Sequence, residues 1–366
     1  MSDRPDIVLV LADDMGFSDI GCYGGEIATP NIDRLAREGV RLTQFYNTAR
    51  CSPSRASLMT GLHPHQVDIG ILNFDDTPDG YPGDLAEECV TVPEALGAAG
   101  YATYLSGKWH LSSDMDTPNA SWPTRRGFDR FFGTLEGAGS FYRPRTLHRD
   151  ETNVEHEAEQ PGWFYTDAIT DSAVSFVEDH AAGRPDDPLF LYLSYTAPHW
   201  PLHADEADVA TYAGRFDAGW DTLREERLAR LEKEGILEPG TELAERDPRV
   251  RPWDGSPDQA WEARRMEVYA AQVDRMDQGV GRLLDTLERL GRLDNTIVVF
   301  LSDNGGCAEE LDVDFVNAFV PLQDSTREGD AVVPGNVPGL MPGSEATYQS
   351  YGRAWAHLSN TPFREY

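Results

Sequence analysis

Acidic residues crowd the ends of two hydrophobic runs. Asp13 and Asp14 follow the apolar stretch 7–12, and Asp303 and Asn304 follow the stretch 296–301. Three carboxylates and an amide oxygen brought together cost free energy unless a cation neutralises them. With neither thiolate nor imidazole in that set, the ligands are all oxygen, which favours a hard ion of flexible coordination, Ca²⁺ ahead of Mg²⁺. Taken singly, Asp13-Asp14 reads equally well as a cap on the following turn. A second chemically capable group is Cys51-Ser-Pro-Ser-Arg-Ala-Ser-Leu-Met-Thr-Gly61. A lone cysteine is by default a small buried hydrophobe, but this one stands where a helix opens and its amides can hold an anion. Gly107-Lys-Trp-His110 and Ala197-Pro-His199 end two further apolar runs. Each histidine by itself reads as an ordinary core or surface imidazole.

These groups need elements that bring them to one place. The run 6–14 is continuous in β-branched residues and leucine rather than alternating, as expected of a strand buried on both faces of a parallel sheet. A helix is predicted over 30–39, with Pro near its start and Gly at its stop, then a strand over 40–46. Further on come helices over 54–60 and 92–99, a strand over 101–105, a helix over 163–180 and a strand over 189–195. A long amphipathic helix over 261–290 delivers the strand 296–301. Residues 111–160 read as long surface loops, 204–257 as a charged surface insertion with a helix over 222–234, and 307–366 as loops rich in Gly, Pro and Asp. The alternation predicts an α/β fold, a large mostly parallel (mixed) β-sheet flanked by helices on both faces, with ligands bound at the carboxyl ends of the strands. Four polar clusters end four predicted strands and should converge there.

The string from Cys51 to Gly61 resembles the signature of type I sulfatases, the formylglycine-dependent arylsulfatases of the alkaline phosphatase-like superfamily. In that signature the cysteine of Cys-X-Pro-X-Arg is oxidised to formylglycine by a dedicated enzyme. Leu11-Ala-Asp-Asp-Met-Gly16, Thr29-Pro-Asn-Ile-Asp33, Gly107-Lys-Trp-His110, Ala197-Pro-His199 and Ser302-Asp-Asn-Gly305 look like arylsulfatase blocks in the same order, so the resemblance covers nearly the whole chain. It implies a sulfatase-like fold and hydrolysis of sulfate esters, aryl sulfate to phenol plus sulfate. It implies that Asp13, Asp14, Asp303 and Asn304, with an oxygen of the modified Cys51, bind one Ca²⁺. One hydroxyl of hydrated formylglycine would attack sulfur, and the other would expel sulfate as the aldehyde re-forms. Arg55 and Lys108 would hold the formylglycine hydroxyl and the sulfate oxygens. His199 would protonate the leaving alcohol or phenol, and His110 would take the proton from the second hydroxyl. His63, His65 and Gln66 follow the signature and read either as pocket lining or as exposed turn residues. Trp200 either shapes the leaving-group pocket or simply packs, and Cys22, Cys89 and Cys307 read as structural thiols.

Composition narrows the partners. Across 366 residues, 63 acidic side chains face 31 basic ones, a formal net charge of -32, and Lys108 and Lys233 are the two lysines. Such a field repels nucleic acid and anionic membrane, and an anionic substrate then needs a locally positive pocket. The charge reads as a solvated acidic surface, and the pattern fits a high-salt cytoplasm or a GC-rich genome. The stretch 7–12 is too short for a membrane span or a secretory signal, so a cytoplasmic protein is expected. Four scattered cysteines suggest neither a disulfide framework nor a zinc site. The expected partners are a small sulfate ester and, transiently, the formylglycine-generating enzyme; oligomeric state is left open.

Family members carry another sulfate-binding lysine soon after a Thr-Pro-Phe-Arg block, then a smaller C-terminal domain. Here Thr361-Pro-Phe-Arg-Glu-Tyr366 ends the sequence. The resemblance therefore implies that 1–366 is an N-terminal catalytic domain, incomplete at its C-terminal end, with exposed apolar surface and little turnover alone. Two rival readings stand beside it. One is a phosphate or phosphonate ester hydrolase of the same superfamily. The other is a non-catalytic calcium- or sulfate-binding module in which Cys51 stays a thiol, although binding alone needs no nucleophile with an acid and a base.

Overall fold

The apolar run at the start of the chain becomes β1 (Asp6–Ala12). Val8, Val10 and Ala12 face one core and Leu11 the other, because side chains alternate across a strand. Burial on both sides explains why the run is continuous rather than alternating. The computed structural model describes residues 4–320 and 323–364. After β1 come α1 (Pro30–Glu38), α2 (Cys51–Thr60), α3 (Val92–Ala98), β2 (Ala102–Gly107), β3 (Arg130–Thr134), β4 (Leu147–Arg149) and β5 (Thr152–Asn153). Then follow α4 (Tyr165–Gly183), β6 (Leu189–Ser194), α5 (Glu206–Ala210), α6 (Gly219–Lys233), α7 (Gln259–Arg289) and β7 (Thr296–Ser302). The last elements are α8 (Val313–Phe319), β8 (Val333–Pro334), β9 (Thr347–Tyr348) and α9 (Gly352–Ser359).

The main sheet has seven strands in the order β5-β4-β3-β2-β6-β1-β7. β3, β2, β6, β1 and β7 run parallel, while β4 and β5 are antiparallel additions at one edge, so the sheet is mixed as expected. On one face, Ile169, Phe176 and Val177 of α4 and Met266, Met276 and Leu284 of α7 cover Val8, Leu191 and Leu193. On the other, Ala56 and Met59 of α2 pack with Leu105, Phe131 and Tyr192. Each fully buried leucine here stabilises the fold by roughly 1.5–3 kcal/mol. Asp277 on α7 fastens α1, accepting from the amides of Asn31 at 3.1 Å and Ile32 at 2.8 Å, donors that the first turn of a helix cannot satisfy itself.

Four sequence expectations need correction. Residues 40–46 form no strand: Val40 and Tyr46 are exposed, and β propensity without a neighbouring ladder does not make a strand. The stretch 111–160 is not all loop, because β3, β4 and β5 lie in it; two of these strands have three residues or fewer, too short to show a period. The stretch 204–257 is no mere surface insertion. Trp220 meets Trp253 and Trp355 of α9 edge-on, Trp253 is tilted against Trp355, and all three are buried. The stretch 307–364 likewise contains α8, α9 and a two-stranded β8-β9 pair; residues 365 and 366 lie outside the described ones. Apolar side chains do reach solvent on the edge strand β7, at Ile297 and Val299. No helix among the described residues is long and apolar enough to cross a membrane.

Candidate active site

Because β2, β6, β1 and β7 are parallel neighbours, their carboxyl ends open on one edge of the sheet. The register pairs Ala12 with Ser302, Leu11 with Ser194 and Gly107 with Ser194. The next residues along, Asp13, Asp303 and Lys108, therefore emerge side by side. Asp14 and His110 both adopt left-handed backbone, with φ of 61° each, which turns them back over the strand ends. That conformation strains most non-glycine residues but is tolerated best by Asp, Asn and His. The Asp14 amide donates to Asp303 Oδ1 at 3.2 Å, which helps hold the turn.

Cys51 is the first residue of α2, buried, with Arg55 one turn later on the same helix face. Arg55 is wholly buried and spans the site: Nε donates to Asp303 Oδ2 at 3.0 Å, and one terminal nitrogen donates to Ser194 Oγ at 2.6 Å and to the Lys108 carbonyl at 3.0 Å. Its other terminal nitrogen lies 2.8 Å from Asp303 and 3.4 Å from Asp13 without the alignment of a hydrogen bond. Lys108 Nζ donates to Asp13 Oδ2 at 2.6 Å. Burial pulls the Lys108 pKa down, but the Asp13 carboxylate outweighs it and holds the pKa above the ordinary lysine value.

The oxygens fit a cation. Asp13 Oδ1 and Asn304 Oδ1 are buried without a hydrogen-bond partner, while Asn304 Nδ2 is already committed to Asp14. Asp13, Asp14 and Asp303 outnumber Arg55 and Lys108 by three to two, so the expected locally positive pocket is not what the side chains alone supply. Burial first, then the Asp13 charge, raises Asp303 to about 6, against the pull of Arg55 and Lys108. A divalent cation among these oxygens would satisfy both orphaned atoms and reverse the sign of the site. Ligand atoms of Asp13, Asp14 and His199 lie within 4.8 Å of one another, and His199 Nε2 is 3.2 Å from Asp14 Oδ2.

The thiol of Cys51 is a poor nucleophile as it stands. Burial pushes it up to about 12; Lys108 opposes the shift, and Asp13, Asp303 and Asp14 reinforce it. Thiolate, not thiol, is the reactive form. His110 is held well below the usual imidazole value by burial, with Lys108 and Arg55 adding to the effect, so it is neutral at pH 7; its Nδ1 has no partner. His199 Nδ1 lies 2.7 Å from the Trp200 carbonyl, which leaves Nε2 facing the cluster.

All nine residues singled out from the sequence, Asp13, Asp14, Cys51, Arg55, Lys108, His110, His199, Asp303 and Asn304, thus come together. His63, His65 and Gln66 do not join them. They form an exposed turn in which the His63 amide donates to Gln66, and His65 stacks on Tyr81. Trp200 contacts the His199 ring at 4.5 Å between centroids and donates to Glu309. Cys89 stays in the core, donating to the Ala86 carbonyl. Cys307, expected to be purely structural, lies beside Asp14, whose carboxylate adds to the burial that raises its thiol. Sequence reading missed Ser194, whose hydroxyl ties Arg55 to the Lys108 carbonyl; a serine ending a buried strand carries no signal of that role.

Such strand ends bring a helix-borne cysteine, an arginine between acids and two histidines to one buried site at the carboxyl edge of the sheet. The chain belongs to the sulfatase family, whose model matches residues 5–361, and is a sulfuric ester hydrolase. It is 33% identical over 388 residues to a sulfatase of Schizosaccharomyces pombe, covering 99% of this chain and 67% of that protein. It is 32% identical over 382 residues to the arylsulfatase of Klebsiella aerogenes, covering 100% of this chain and 77% of that one. The crystal structure of Ps i-CgsB superposes with a TM-score of 0.60 at 28% identity, covering 98% of this chain and 70% of that one. The fold is the alkaline phosphatase-like one of these sulfatases.

Proposed function

We propose that this protein hydrolyses sulfate esters with a formylglycine made from Cys51 and a bound Ca²⁺. The observation that carries the reading is the setting of Cys51: a protonated, buried thiol at a helix start, between Lys108 and three carboxylates, where a thiol has nothing to do. Hydrated formylglycine at that position would supply a hydroxyl that attacks sulfur as the alcohol leaves, and a second hydroxyl whose loss of a proton re-forms the aldehyde as the C–O bond to the transferred sulfate breaks and sulfate departs. Asp13, Asp14, Asp303 and Asn304 would hold the cation, which supplies positive charge for the sulfate oxygens and lowers the cost of ionising the nucleophile.

The chain's own groups divide the remaining work. Arg55 and Lys108 are fixed in place by Asp303, Ser194 and Asp13, so they meet a sulfate without reorganising, which is the condition for strong electrostatic stabilisation of a transition state. His199, with Nδ1–H donated to the Trp200 carbonyl, offers Nε2 as the atom that gives a proton to the leaving oxygen. His110, neutral and with a free Nδ1, is poised to accept the proton from the second hydroxyl.

The test is the mass of the tryptic peptide from Cys51 to Arg55, from protein made in an aerobic host that has the formylglycine-generating enzyme. An aldehyde or its hydrate is the expected result; a thiol would sink the mechanism. With the modified protein, turnover of 4-nitrophenyl sulfate should exceed that of 4-nitrophenyl phosphate and of a phosphate diester. The reverse order would assign the site to phosphoryl transfer.

A further inference from the structure

Glu309 has no part in the roles above, yet it joins the pieces of chain that carry them. It lies on the loop that leaves β7 through Asp303 and Asn304. One oxygen of its carboxylate accepts from the Trp200 indole N–H at 3.0 Å, and the other accepts from Arg50 at 2.8 Å. Trp200 follows His199 in the chain, and Arg50 caps the start of α2, directly before Cys51. A single side chain thus links the loop of Asp303 and Asn304 to the proposed acid and to the proposed nucleophile. Glu309 is itself held, its carbonyl accepting from Ser350 Oγ at 2.6 Å. Burial pushes its carboxyl up, but the hydrogen bond from Arg50 and then the charge of His199 outweigh burial and keep the pKa below the ordinary glutamate value. Both bonds are therefore made to an anion, which strengthens them.

Stability does not account for this arrangement. The Arg50 and Glu309 side chains are 51% and 31% exposed, and ion pairs so open to water contribute little to folding. Orientation does account for it. The contact of His199 Nδ1 with the Trp200 carbonyl at 2.7 Å joins adjacent residues, so it sets which ring nitrogen carries the proton but not where the pair sits. The imidazole rests on the indole, 4.5 Å between centroids, and the indole in turn meets Tyr348 at 5.9 Å. Aromatic faces slide over one another at little cost, whereas the N–H bond to Glu309 is directional. His199 Nε2 lies 3.2 Å from Asp14 Oδ2, so a modest rotation of the ring decides whether its proton faces Asp14 or a leaving oxygen. Proton transfer needs the acid within roughly 2.6–3.2 Å of the atom it serves.

We propose that Glu309 is a positioning residue for the reaction. Through the Trp200 indole it holds His199 in the orientation that presents Nε2 to the leaving oxygen, and Arg50 anchors its carboxylate to the helix of Cys51. This assignment rests on the sulfatase reading above, with His199 as the acid.

The experiment measures kcat and KM for phenyl sulfate and 4-nitrophenyl sulfate in the formylglycine-bearing protein and in its Glu309→Ala, Glu309→Gln and Trp200→Phe variants, with the Glu309→Ala/Trp200→Phe double variant. Phenol leaves poorly without a proton, whereas 4-nitrophenol leaves readily as the anion. Glu309→Ala should therefore lower kcat for phenyl sulfate about tenfold to a hundredfold, part of what a general acid supplies, and leave the nitrophenyl ester within about threefold. KM and melting temperature should stay near native. Glu309→Gln keeps an oxygen for the indole and should bring phenyl sulfate back to within about threefold of native. Trp200→Phe keeps the ring but not its N–H, and should reproduce the selective loss. The double variant should lose no more than about twofold beyond either single one, because both changes break the same bond. Equal losses on both esters, a loss confined to KM, no recovery in Glu309→Gln, or additive losses in the double variant would overturn the role of Glu309 and leave the sulfatase mechanism standing. Turnover of neither ester by the native protein would overturn both.

Discussion

The buried charges around Arg227 and those around Arg55 are finished to different degrees. In the first, Arg227 joins α6 to the loop after β1. Its nitrogens donate to Asp19 at 2.6 Å and to both oxygens of Glu26 at 2.8 and 2.9 Å, while Asp19 also accepts from the Gly16 amide and the Tyr269 hydroxyl. In the second, around Arg55, orphaned atoms remain on Asp13, Asn304, Arg55 and His110. The first cluster is complete by itself, as a buried ion pair must be if it is not to cost stability. The second keeps buried polar atoms without partners. The contrast separates a charge cluster that joins chain segments from one whose polar atoms stay open.

The largest expected effect comes from removing the reactive group. Cys51→Ala should lower kcat for a sulfate ester on the order of 10⁴-fold or more, with little change in thermal stability; residual turnover near the native level would break the functional half of the comparison. Lys108→Ala should cost about 10²–10³ in kcat through lost stabilisation of the sulfate oxygens. Its counterpart, Arg227→Met, should instead lower unfolding free energy by about 3–5 kcal/mol in denaturant titrations, because Asp19 loses its buried cation and Glu26 keeps only Arg230, while kcat of the folded fraction stays native. If Lys108→Ala harmed stability alone and Arg227→Met harmed kcat alone, the two clusters would have been assigned the wrong way round.

Calcium sharpens the same contrast by a smaller margin. At a hundredfold excess over its dissociation constant, Ca²⁺ should stabilise the native protein by about 2.7 kcal/mol, read as a rise in melting temperature that chelation reverses. Asp14→Asn should abolish the rise, and Arg227→Met should keep it. The last is a pH effect at Glu136, whose carboxyl burial raises to about 8. The folded protein then holds a proton that the unfolded chain has already released. That stabilisation is complete below the ordinary glutamate range and declines as pH rises, by at most about 1.4 kcal/mol per unit, until it levels off above about 8. Between pH 5 and 8 the native protein should therefore lose stability relative to Glu136→Gln; parallel pH profiles would show that Glu136 titrates normally.

The strand ends were readable because a doubly buried parallel strand leaves a plain record, an unbroken apolar stretch that stops at polar residues, as at Asp13 and Asp303. The helices α4 and α7 were readable through their period. The short strands β4 and β5 were not, since three residues cannot display a repeat, and the apparent strand at 40–46 misled because its residue types promised a ladder that no neighbour supplies. The stretch 204–257 looked solvated because its charges dominate, yet Trp220, Trp253 and Arg227 are the residues that bury it.

The sequence by itself determined the chemistry: which residues could be nucleophile, acid, base and ligand, and, through the parallel strand pattern, that they meet along one sheet edge. Only the tertiary structure decided which of those groups are already paired and which are left open, and that the side chains alone leave the site short of positive charge. The reason is range. A strand or helix period records what lies within a few residues, whereas hydrogen-bond satisfaction and burial depend on groups such as Arg55 and Asp303, 248 residues apart in the chain and 3.0 Å apart in space.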